Sequence, residues 1–364
     1  MTYNYLIVGA GFAGAVAAER LANKGNKILV VEKRNHVGGN AYDEYDEYGI
    51  LVHRYGPHIF HTNSKKVFDY LSQFTEWRKY EHRVLAKLNS ELYQIPINRT
   101  TLNKLYNKNF QTDEEVQEFY DSVRKEIYPI TNSEEKIVSQ VGEDLFEKFF
   151  KYYTKKQWGI EAKELSPSVL GRIPVRTNTD NRYFTDKYQY MPKDGYTKMF
   201  EKILEHKNIN IMLNTDYKTI VDEIKFEKMI YTGPIDYFFD YKFGKLPYRS
   251  LRFEWKNLKS EEFQKTAVVN YVDASPPYTR ITEYKHLTEQ KDKTTTVSYE
   301  YPIFNGEPYY PVVNNDSKEQ MKLYRLEINK LKNIQFIGRL AENKYYNMDV
   351  VVAEVLKKYE QNII

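Results

Sequence analysis

The chain begins with alternating apolar runs and runs of small residues. Residues 5–8 are apolar, residues 9–14 read G-A-G-F-A-G, and residues 15–24 are rich in alanine. A second predicted strand covers residues 27–31, is apolar after Lys27, and ends at Glu32. Short continuous apolar runs are typical of buried parallel strands, and an alanine-rich run between them is typical of the connecting helix. The pattern predicts a strand, a tight turn, a helix and a second strand.

The glycines of the turn fall at the spacing G-x-G-x-x-G. Gly9 permits the sharp turn, Gly11 lets the backbone approach a pyrophosphate, and Gly14 lets the helix pack against the strand. The phosphates would lie on the free amides and positive dipole end of the helix. Glu32 stands eighteen residues after Gly14, where an acidic side chain can accept hydrogen bonds from the ribose hydroxyls of adenosine. The sequence therefore predicts a dinucleotide site.

The residues that follow Glu32 indicate which dinucleotide the site binds, FAD or NAD. Lys33 and Arg34 lead into a second glycine pair, Gly38 and Gly39, with Asn40 behind it. A second glycine pair beside basic and amide side chains supplies further donors for the pyrophosphate of a longer ligand. NAD enzymes of this fold usually continue into another helix here, whereas the G-G-N segment resembles FAD-binding proteins of the glutathione-reductase-like group. We favour FAD, with NAD as the alternative.

The rest of the chain changes pattern twice. Apolar residues at helical spacing predict a helix at 64–74, and alternation predicts a β-hairpin at 84–88 and 92–97. From residue 100 to 150 the pattern is helical and charged, which predicts at least three amphipathic helices with breaks near 111–113 and 129–132. Later strands are predicted at 209–217, 229–232, 250–255, 267–272 and 333–337, with helices at 197–206 and 350–359.

Composition excludes several classes of protein. The net charge is +4 on a chain with 54 basic and 50 acidic residues, and no sustained basic block predicts a nucleic-acid partner. The absence of cysteine excludes disulfides, thiol nucleophiles and Cys-zinc sites, and we expect no metal site. We expect no signal peptide, no membrane span and a cytoplasmic location. With 364 residues the chain can form about two domains.

Three later segments carry candidate chemistry. A Gly-Pro pair fixes the bend before His58 and thereby presents its imidazole. Phe149 and Tyr153 lie four residues apart, so on a helix they share a face that can clamp a base. Arg172 lies in a predicted loop flanked by glycine and proline, and Arg280 follows a rigid Pro-Pro turn.

These motifs, in this order, resemble those of bacterial UDP-galactopyranose mutases over essentially the whole chain. The resemblance rests on the dinucleotide fingerprint and on the segments Gly56–Phe60, Gln157–Trp158, Gly171–Arg176, Asp180–Phe184, Tyr248–Leu251, Tyr278–Ile281, Glu307–Pro311 and Gly338–Leu340. The resemblance implies an isomerase that interconverts UDP-galactopyranose and UDP-galactofuranose, the precursor of galactofuranose in lipopolysaccharide and other cell-surface polysaccharides. Reduced FAD would attack the anomeric carbon through N5, with UDP as the leaving group.

The resemblance also implies the residues of the substrate site. Arg172 and Arg280 match the two arginines that meet the diphosphate, and with His58 they are the expected catalytic residues. The expected substrate-binding residues also include those matching the uridine, galactose and diphosphate contacts: His82, Phe149, Tyr153, Thr154, Trp158, Tyr183, Asn270, Tyr310 and Tyr345.

A second set of residues matches the cofactor contacts of the family. The expected FAD-binding residues are Gly9, Gly11, Phe12, Ala13, Gly14, Glu32, Lys33, Gly39, Asn40, His58, Ile59, Thr215, Asp216, Arg249, Gly338, Arg339, Tyr346, Asn347, Met348 and Val351. The resemblance further implies a homodimer.

The expected fold is α/β, with a Rossmann-like FAD-binding domain, an inserted helical domain and an antiparallel sheet domain. The FAD-binding domain is expected to be discontinuous. We expect FAD-binding parts at 1–80, 201–245 and 326–364, a β-sheet segment at 81–99, a helical substrate-cleft domain at 100–165, a mobile substrate loop and connection at 166–200, and the antiparallel sheet domain at 246–325.

Three positions bear on specificity. Asn347 stands where several relatives carry Asp, which removes a charge from that contact. His82 stands where some relatives have Asn near the uridine or the flavin. His61 is the position at which we would look for acceptance of the N-acetylated sugar, and a small polar His favours the plain galactose nucleotide.

Two other functions are compatible with this fold. An FAD oxidoreductase of the amine-oxidase-like group would share the cofactor domain, but its substrate would not need the two arginines and the tyrosine set. A non-catalytic flavin or nucleotide-sugar sensor would tolerate loss of Arg172, yet the loop is intact. The sequence leaves open the loop position without ligand, the cellular reductant of the flavin and the polysaccharide that receives the product.

Overall fold

The computed structural model describes residues 2–171, 173–312 and 314–364. The chain forms two compact units. The first unit consists of Met1–Lys79, Asp186–Tyr248 and Pro308–Ile364, and the second of Tyr80–Thr185 and Arg249–Glu307. The chain therefore passes out of the first unit and back into it twice.

A five-stranded parallel sheet forms the centre of the first unit. Its order is Ile209–Met212, Ile28–Val31, Thr2–Val8, Lys225–Tyr231 and Ile334–Phe336. The apolar runs at 5–8 and 28–31 are buried throughout, as helices on both faces of a parallel sheet require. Because all five strands point the same way, their carboxyl ends meet at one edge of the sheet, where open α/β sheets bind ligands.

Helices and two small antiparallel sheets complete the first unit. The sheets pair Asp43–Tyr45 with Leu51–His53, and Tyr188–Pro192 with both Phe60–Thr62 and Trp77–Lys79. The helices are Phe12–Asn23, Lys65–Leu71, Tyr196–Leu204, Ile235–Phe238, Asn315–Ile328 and Met348–Glu360, with 3₁₀ turns at Gly39–Ala41 and Tyr217–Thr219 and a short strand at Tyr310–Pro311.

The helix Asn315–Ile328 belongs to the first unit. Met321 and Tyr324 are buried in its core, and the Tyr324 hydroxyl donates to the Gly244 carbonyl oxygen at 2.6 Å. The expected sheet-domain boundary at 325 therefore lies beyond Glu307, the last residue of the second unit.

The second unit combines a mixed sheet with a group of helices. Its strands run in the order Tyr248–Leu258, Thr295–Ile303, Arg280–Glu283, Val268–Tyr271, Val84–Leu88 and Glu91–Ile95. All pairs are antiparallel except Val268–Tyr271 with Val84–Leu88, which is parallel. The predicted hairpin thus extends the sheet of the later strands.

The charged segment 100–150 is helical, as predicted, and further short helices follow it in the second unit. The helices are Arg99–Tyr106, Asp113–Val123, Ser133–Val141, Glu143–Leu145, Tyr152–Trp158 and Pro167–Leu170, with a π-helical turn at Phe146–Lys151, a 3₁₀ turn at Ala162–Glu164 and a short helix later at Lys285–Thr288. The first three begin at side-chain caps, Asn98, Thr112 and Asn132. Among the described residues, no helix combines the length and apolar character needed to cross a membrane.

Candidate functional site

The glycine turn of the first unit has the geometry of a phosphate cradle. Gly9 has a φ of +102°, and a Cβ added to Gly14 would lie 1.9 Å from the carbonyl oxygen of Gly9. No side chain caps the helix that starts at Phe12, and its N-cap residue is Gly11. The amides of Phe12 and Ala13 therefore stand at a helix N-terminus without a side-chain oxygen in front of them.

The second glycine pair packs against this turn. The Gly38 amide donates to the Ala10 carbonyl oxygen at 2.9 Å, and a Cβ on Gly39 would lie 2.9 Å from the Gly11 Cα. Both glycines have positive φ, and Asn40 Oδ1 accepts from both terminal nitrogens of Arg34 at 3.0 Å. Two backbone segments thus approach each other with no side chain between them, which fits the pyrophosphate of a dinucleotide.

Glu32 lies at the end of the second strand and is buried. Its Oε2 accepts from the Ala10 amide at 2.9 Å, and its Oε1 accepts from the Arg34 amide at 3.0 Å. These two bonds aim the carboxylate at the same edge as the cradle. Lys33, the next residue, is exposed.

Thr215 and Asp216 follow the edge strand Ile209–Met212. The Thr215 amide donates to the Glu32 carbonyl oxygen at 3.0 Å, so the structure brings Thr215 to the ribose side of the predicted site. Asp216 caps the turn Tyr217–Thr219 and accepts from the Tyr237 hydroxyl at 2.6 Å. Its carboxylate is therefore held by structural contacts.

The last strand and last helix lie beside the cradle. Gly338 has a φ of +103°, and a Cβ there would lie 3.0 Å from the Ala13 Cβ. Asn347 is the N-cap residue of the helix that starts at Met348, and its side chain does not cap it. This helix packs against the one that starts at Phe12, and Val351 is buried in its second turn.

Arg339 organises an aromatic cluster in the same region. Its Nε and Nη2 donate to the Tyr346 carbonyl oxygen at 3.1 and 2.6 Å, and its Nη1 donates to the Tyr309 carbonyl oxygen at 3.4 Å. The rings of Tyr310 and Tyr345 stack with their centroids 5.8 Å apart, and the guanidinium lies 5.3 and 5.5 Å from them. The expected cofactor and diphosphate residues at this end of the chain therefore form one group.

His58 is held by a residue that sequence reasoning missed. The His58 amide donates to Nδ1 of His53 at 3.0 Å, and its own Nδ1 lies 2.8 Å from the Gly56 carbonyl oxygen. His53 is buried, which lowers its pKa to about 3. Ile59 follows at a half-buried position. The spacing H-x₄-H around the Gly-Pro bend is the signal that could have identified His53.

His61 takes part in a different contact. Its Nδ1 lies 3.0 Å from Asp186 Oδ2, and Asn63 donates to the other carboxylate oxygen at 2.8 Å. The proposed specificity position is thus paired with an acidic side chain within the first unit.

We predict that His53→Phe makes the protein less sensitive to acid. Because the pKa of His53 is near 3 when folded and 6.5 in the reference state, the unfolded chain binds the extra proton between those values. The contribution of His53 to the free energy of unfolding is therefore constant well above pH 6.5. It falls by about 3 kcal/mol between there and pH 4.

At pH 7 the variant should be less stable than wild type by about 1–3 kcal/mol, because the His58 amide loses its acceptor. Urea unfolding of both proteins at pH 7 and pH 4 measures their free energies of unfolding. The difference between wild type and variant should be smaller at pH 4 than at pH 7, or should change sign. Parallel pH profiles for the two proteins would contradict this assignment.

In the second unit, Asn270 and Arg280 lie opposite each other in adjacent strands. Arg280 Nη2 donates to Glu300 Oε1 at 2.8 Å, and Glu300 is only 1% exposed. Glu300 is the cross-strand partner of Arg280. A buried carboxylate therefore holds the guanidinium on the sheet, and sequence reasoning missed it because the two residues are twenty positions apart.

The aromatic residues lie on a π-helical turn and the helix after it. Phe149 is in the π-helical turn Phe146–Lys151, is buried, and meets Tyr93 edge to face at 5.7 Å. Tyr153 is half-buried, and its hydroxyl is 3.5 Å from Asn270 Oδ1. The structure therefore brings Tyr153 and Asn270 together, while Phe149 packs in the core beneath them.

Thr154, Trp158 and Arg249 are buried around the same helix. The Thr154 hydroxyl makes no hydrogen bond within the described part of the chain. Arg249 Nε donates to the Gln157 carbonyl oxygen at 3.0 Å, and the guanidinium stacks 3.9 Å from the centre of the Phe304 ring. The Nη1 of Arg249 is buried without a protein partner among the described residues.

His82 and Tyr183 are neighbours in the second unit. The Tyr183 amide donates to the His82 carbonyl oxygen at 2.7 Å, and their rings meet edge to face at 5.8 Å. His82 Nδ1 lies 3.1 Å from the Tyr80 hydroxyl. Arg172, the other expected catalytic arginine, lies outside the described residues.

Comparison with known proteins identifies the family. A sequence profile of UDP-galactopyranose mutase matches residues 148–345, and one of an NAD(P)-binding Rossmann-like domain matches residues 7–74. The chain is 40% identical to a probable UDP-galactopyranose mutase of Klebsiella pneumoniae, over 98% of this chain and 94% of the relative. The chain belongs to the UDP-galactopyranose mutase family.

Two further relatives refine this assignment. A dTDP-fucopyranose mutase of Escherichia coli is 38% identical over 97% of this chain and 96% of its own length. A crystal structure of reduced UDP-galactopyranose mutase has a TM-score of 0.78 at 17% identity and covers 100% of this chain and 96% of its own. That likeness confirms the predicted fold class.

The cofactor of this mutase-family chain is FAD, which confirms the choice of FAD over NAD. The glycine cradle, Glu32 and the second helix N-terminus are the features that fit it. No group of three or more metal-ligating side chains occurs among the described residues.

Proposed function

We propose that the protein is a UDP-galactopyranose mutase that interconverts UDP-galactopyranose and UDP-galactofuranose. The observation that carries this proposal is the arrangement of Tyr153, Asn270 and Arg280 in the second unit. These side chains are an aromatic hydroxyl, an amide and a guanidinium, and they lie on adjacent elements. Such a set can bind the successive parts of a nucleoside diphosphate, namely the base, the ribose and the diphosphate. An amine substrate would not need a guanidinium there, which argues against the oxidoreductase alternative.

Bound FAD in its reduced form would supply the electron pair at N5 that attacks the anomeric carbon. As the anomeric C–O bond breaks, its electron pair moves to the diphosphate oxygen of the leaving UDP. Arg280 stabilises this charge best if its guanidinium is already oriented, and the bond to Glu300 orients it. We assign the same role to Arg172 from the family resemblance.

The remaining residues bind and orient. We assign the uridine contacts to Phe149, Tyr153, Thr154 and Asn270, and the galactose contact to Trp158. In the first unit, Tyr310 and Tyr345 are assigned to the diphosphate, and the turn at His58 to the flavin. His82 and Tyr183 remain proposed substrate residues of the second unit.

The proposal also covers the location, the assembly and the use of the product. We propose a cytoplasmic homodimer that supplies galactofuranose for lipopolysaccharide or other cell-surface polysaccharide. The segment 166–200 is proposed to contain the substrate loop.

A second candidate substrate is a dTDP-linked 6-deoxy sugar, because the fucopyranose mutase is nearly as similar as the galactopyranose mutase. The Thr154 hydroxyl argues for the uridine nucleotide. It is 1% exposed and lacks a protein partner among the described residues, and a ribose 2′-hydroxyl, which dTDP lacks, could satisfy it.

The test is a comparison of kcat/KM for UDP-galactofuranose and dTDP-fucofuranose with the reduced enzyme. We expect a preference of about tenfold or more for the UDP sugar, the value of one hydrogen bond. Thr154→Val should reduce that preference. Ser122→Ala, at an exposed position of the helix Asp113–Val123, serves as the surface control. A preference for the dTDP sugar would contradict the proposed substrate.

A further inference from the structure

Lys156 joins two parts of the second unit through a single ammonium group. Its Nζ donates to the carbonyl oxygens of Tyr271, Pro276 and Tyr278 at 2.7, 3.0 and 3.2 Å. An ammonium has three donors, so all three are used by backbone oxygens. Burial lowers the pKa of Lys156 to about 8, with Asp273 opposing that effect.

On one side of this contact is the helix Tyr152–Trp158. It carries Tyr153, Thr154 and Trp158, the residues assigned to the nucleoside and the sugar. Arg249 donates to the carbonyl oxygens of Lys156 and Gln157, so the same end of the helix is fixed from a second direction.

On the other side is the turn that joins the strands Val268–Tyr271 and Arg280–Glu283. The acceptors Tyr271 and Tyr278 lie one residue after Asn270 and two before Arg280. Outside the turn the strands are fixed by their ladder, and the Tyr271 amide donates to the Thr279 carbonyl oxygen at 2.8 Å. Lys156 therefore binds carbonyl oxygens at both ends of the turn, those of Tyr271 and Tyr278.

We propose that Lys156 is a positioning residue that sets the separation between the nucleoside-binding helix and the diphosphate-binding Arg280. The inference rests on the proposed function, because it takes the substrate to be a nucleoside diphosphate sugar. Arg280 is the first residue of its strand, so the position of the turn affects where this end of the ladder lies relative to the nucleoside-binding helix. A displacement of about 1 Å along the diphosphate can cost a hundredfold in rate.

The contact is unlike the surface ion pairs of the same helix. Lys155, its neighbour, is exposed and pairs with Glu161 at 2.6 Å. A pair of that kind contributes little. Lys156 instead bridges segments more than a hundred residues apart in sequence, through acceptors that substitution of their side chains cannot remove.

The experiment is a double-mutant cycle on UDP affinity, measured by calorimetry with the FAD-loaded protein. Lys156→Met should weaken UDP binding at least tenfold in the wild-type background. In the Arg280→Ala background the same change should have less than a twofold effect, because the arginine it positions is gone. Lys155→Met should stay within twofold in both backgrounds. Turnover of Lys156→Met should fall through kcat as well as KM.

FAD content and thermal unfolding provide the structural control. We expect Lys156→Met to retain FAD and to unfold within a few degrees of Lys155→Met. If Lys156→Met does not fold, Lys156→Gln replaces it in the cycle, since its amide can still donate to two of the carbonyls. If neither variant yields folded flavoprotein, Lys156 is a folding residue and the inference is overturned.

Two other outcomes also overturn it. Equal effects of Lys156→Met with and without Arg280 would mean that Lys156 does not act through that residue. If Lys156→Met weakens UDP binding no more than Lys155→Met does, the Lys156 contacts do not position the turn. The proposed function fails separately, if wild-type protein does not convert UDP-galactofuranose or if Arg280→Ala binds UDP as tightly as wild type.

Discussion

Gly14→Ala should abolish FAD binding. The added Cβ would lie 1.9 Å from the Gly9 carbonyl oxygen and 3.2 Å from an Ile7 methyl group. The Gly9 oxygen belongs to the backbone of the turn, so the clash can be relieved only if the first helix moves away from the turn and the strand. We expect a loss of at least a hundredfold in FAD affinity, measured by flavin fluorescence on titration of the apoprotein.

Gly25→Ala is the matched control for this substitution. Gly25 follows the same helix and has a φ of +89°, but an added Cβ would meet nothing within 4 Å. It should lower stability by about 1 kcal/mol through backbone strain and leave FAD binding unchanged. Normal FAD affinity in Gly14→Ala would contradict the location of the pyrophosphate.

Arg280→Ala should lower turnover at least a hundredfold while FAD remains bound. A charge-assisted contact to a developing oxyanion is worth about 3–4 kcal/mol in the transition state. The variant also leaves Glu300 buried without its partner, which costs stability as well. Steady-state kinetics of the reduced enzyme and thermal unfolding separate the two effects.

The double variant Arg280→Ala/Glu300→Gln distinguishes catalysis from stability. Neutralising Glu300 should recover much of the lost stability, whereas turnover should stay low because the guanidinium is still missing. Arg252→Ala, an exposed arginine on a strand of the same sheet, is the control and should retain full activity. Recovery of turnover in the double variant would show that Arg280 is structural.

Much of the fold could be predicted because its signals are local. The apolar runs at 5–8 and 28–31 and the glycine spacing between them each act within a few residues. The helix breaks predicted near 111–113 and 129–132 coincide with the side-chain caps Thr112 and Asn132. The hairpin near residue 90 was predicted for the same reason, as was the last helix, expected at 350–359 and found at Met348–Glu360.

The contacts that sequence could not supply are formed between distant segments. Glu300 meets Arg280 only because two strands pair, and Lys156 meets carbonyl oxygens more than a hundred residues later. Backbone acceptors carry no sequence signal at all. The π-helical turn at Phe146–Lys151 was also missed, because a change from an α- to a π-helical turn leaves the spacing of apolar residues helical.

The boundaries of the two units also depend on contacts between distant segments, which the sequence does not reveal. The helix Asn315–Ile328 has an amphipathic pattern that any neighbouring apolar surface could satisfy, and the sequence alone assigned its first part to the sheet. Its actual partners, near Gly244 and Phe336, lie in segments that are remote in sequence.

The most direct test of the central claim is conversion of UDP-galactofuranose by the purified FAD-loaded protein under nitrogen. Chromatography after addition of dithionite should show UDP-galactopyranose at equilibrium with the substrate, and little or none when the flavin is kept oxidised. This is because only the reduced cofactor offers an electron pair at N5. If the fully reduced protein forms no UDP-galactopyranose, or if the oxidised protein turns over equally fast in air, the account is contradicted.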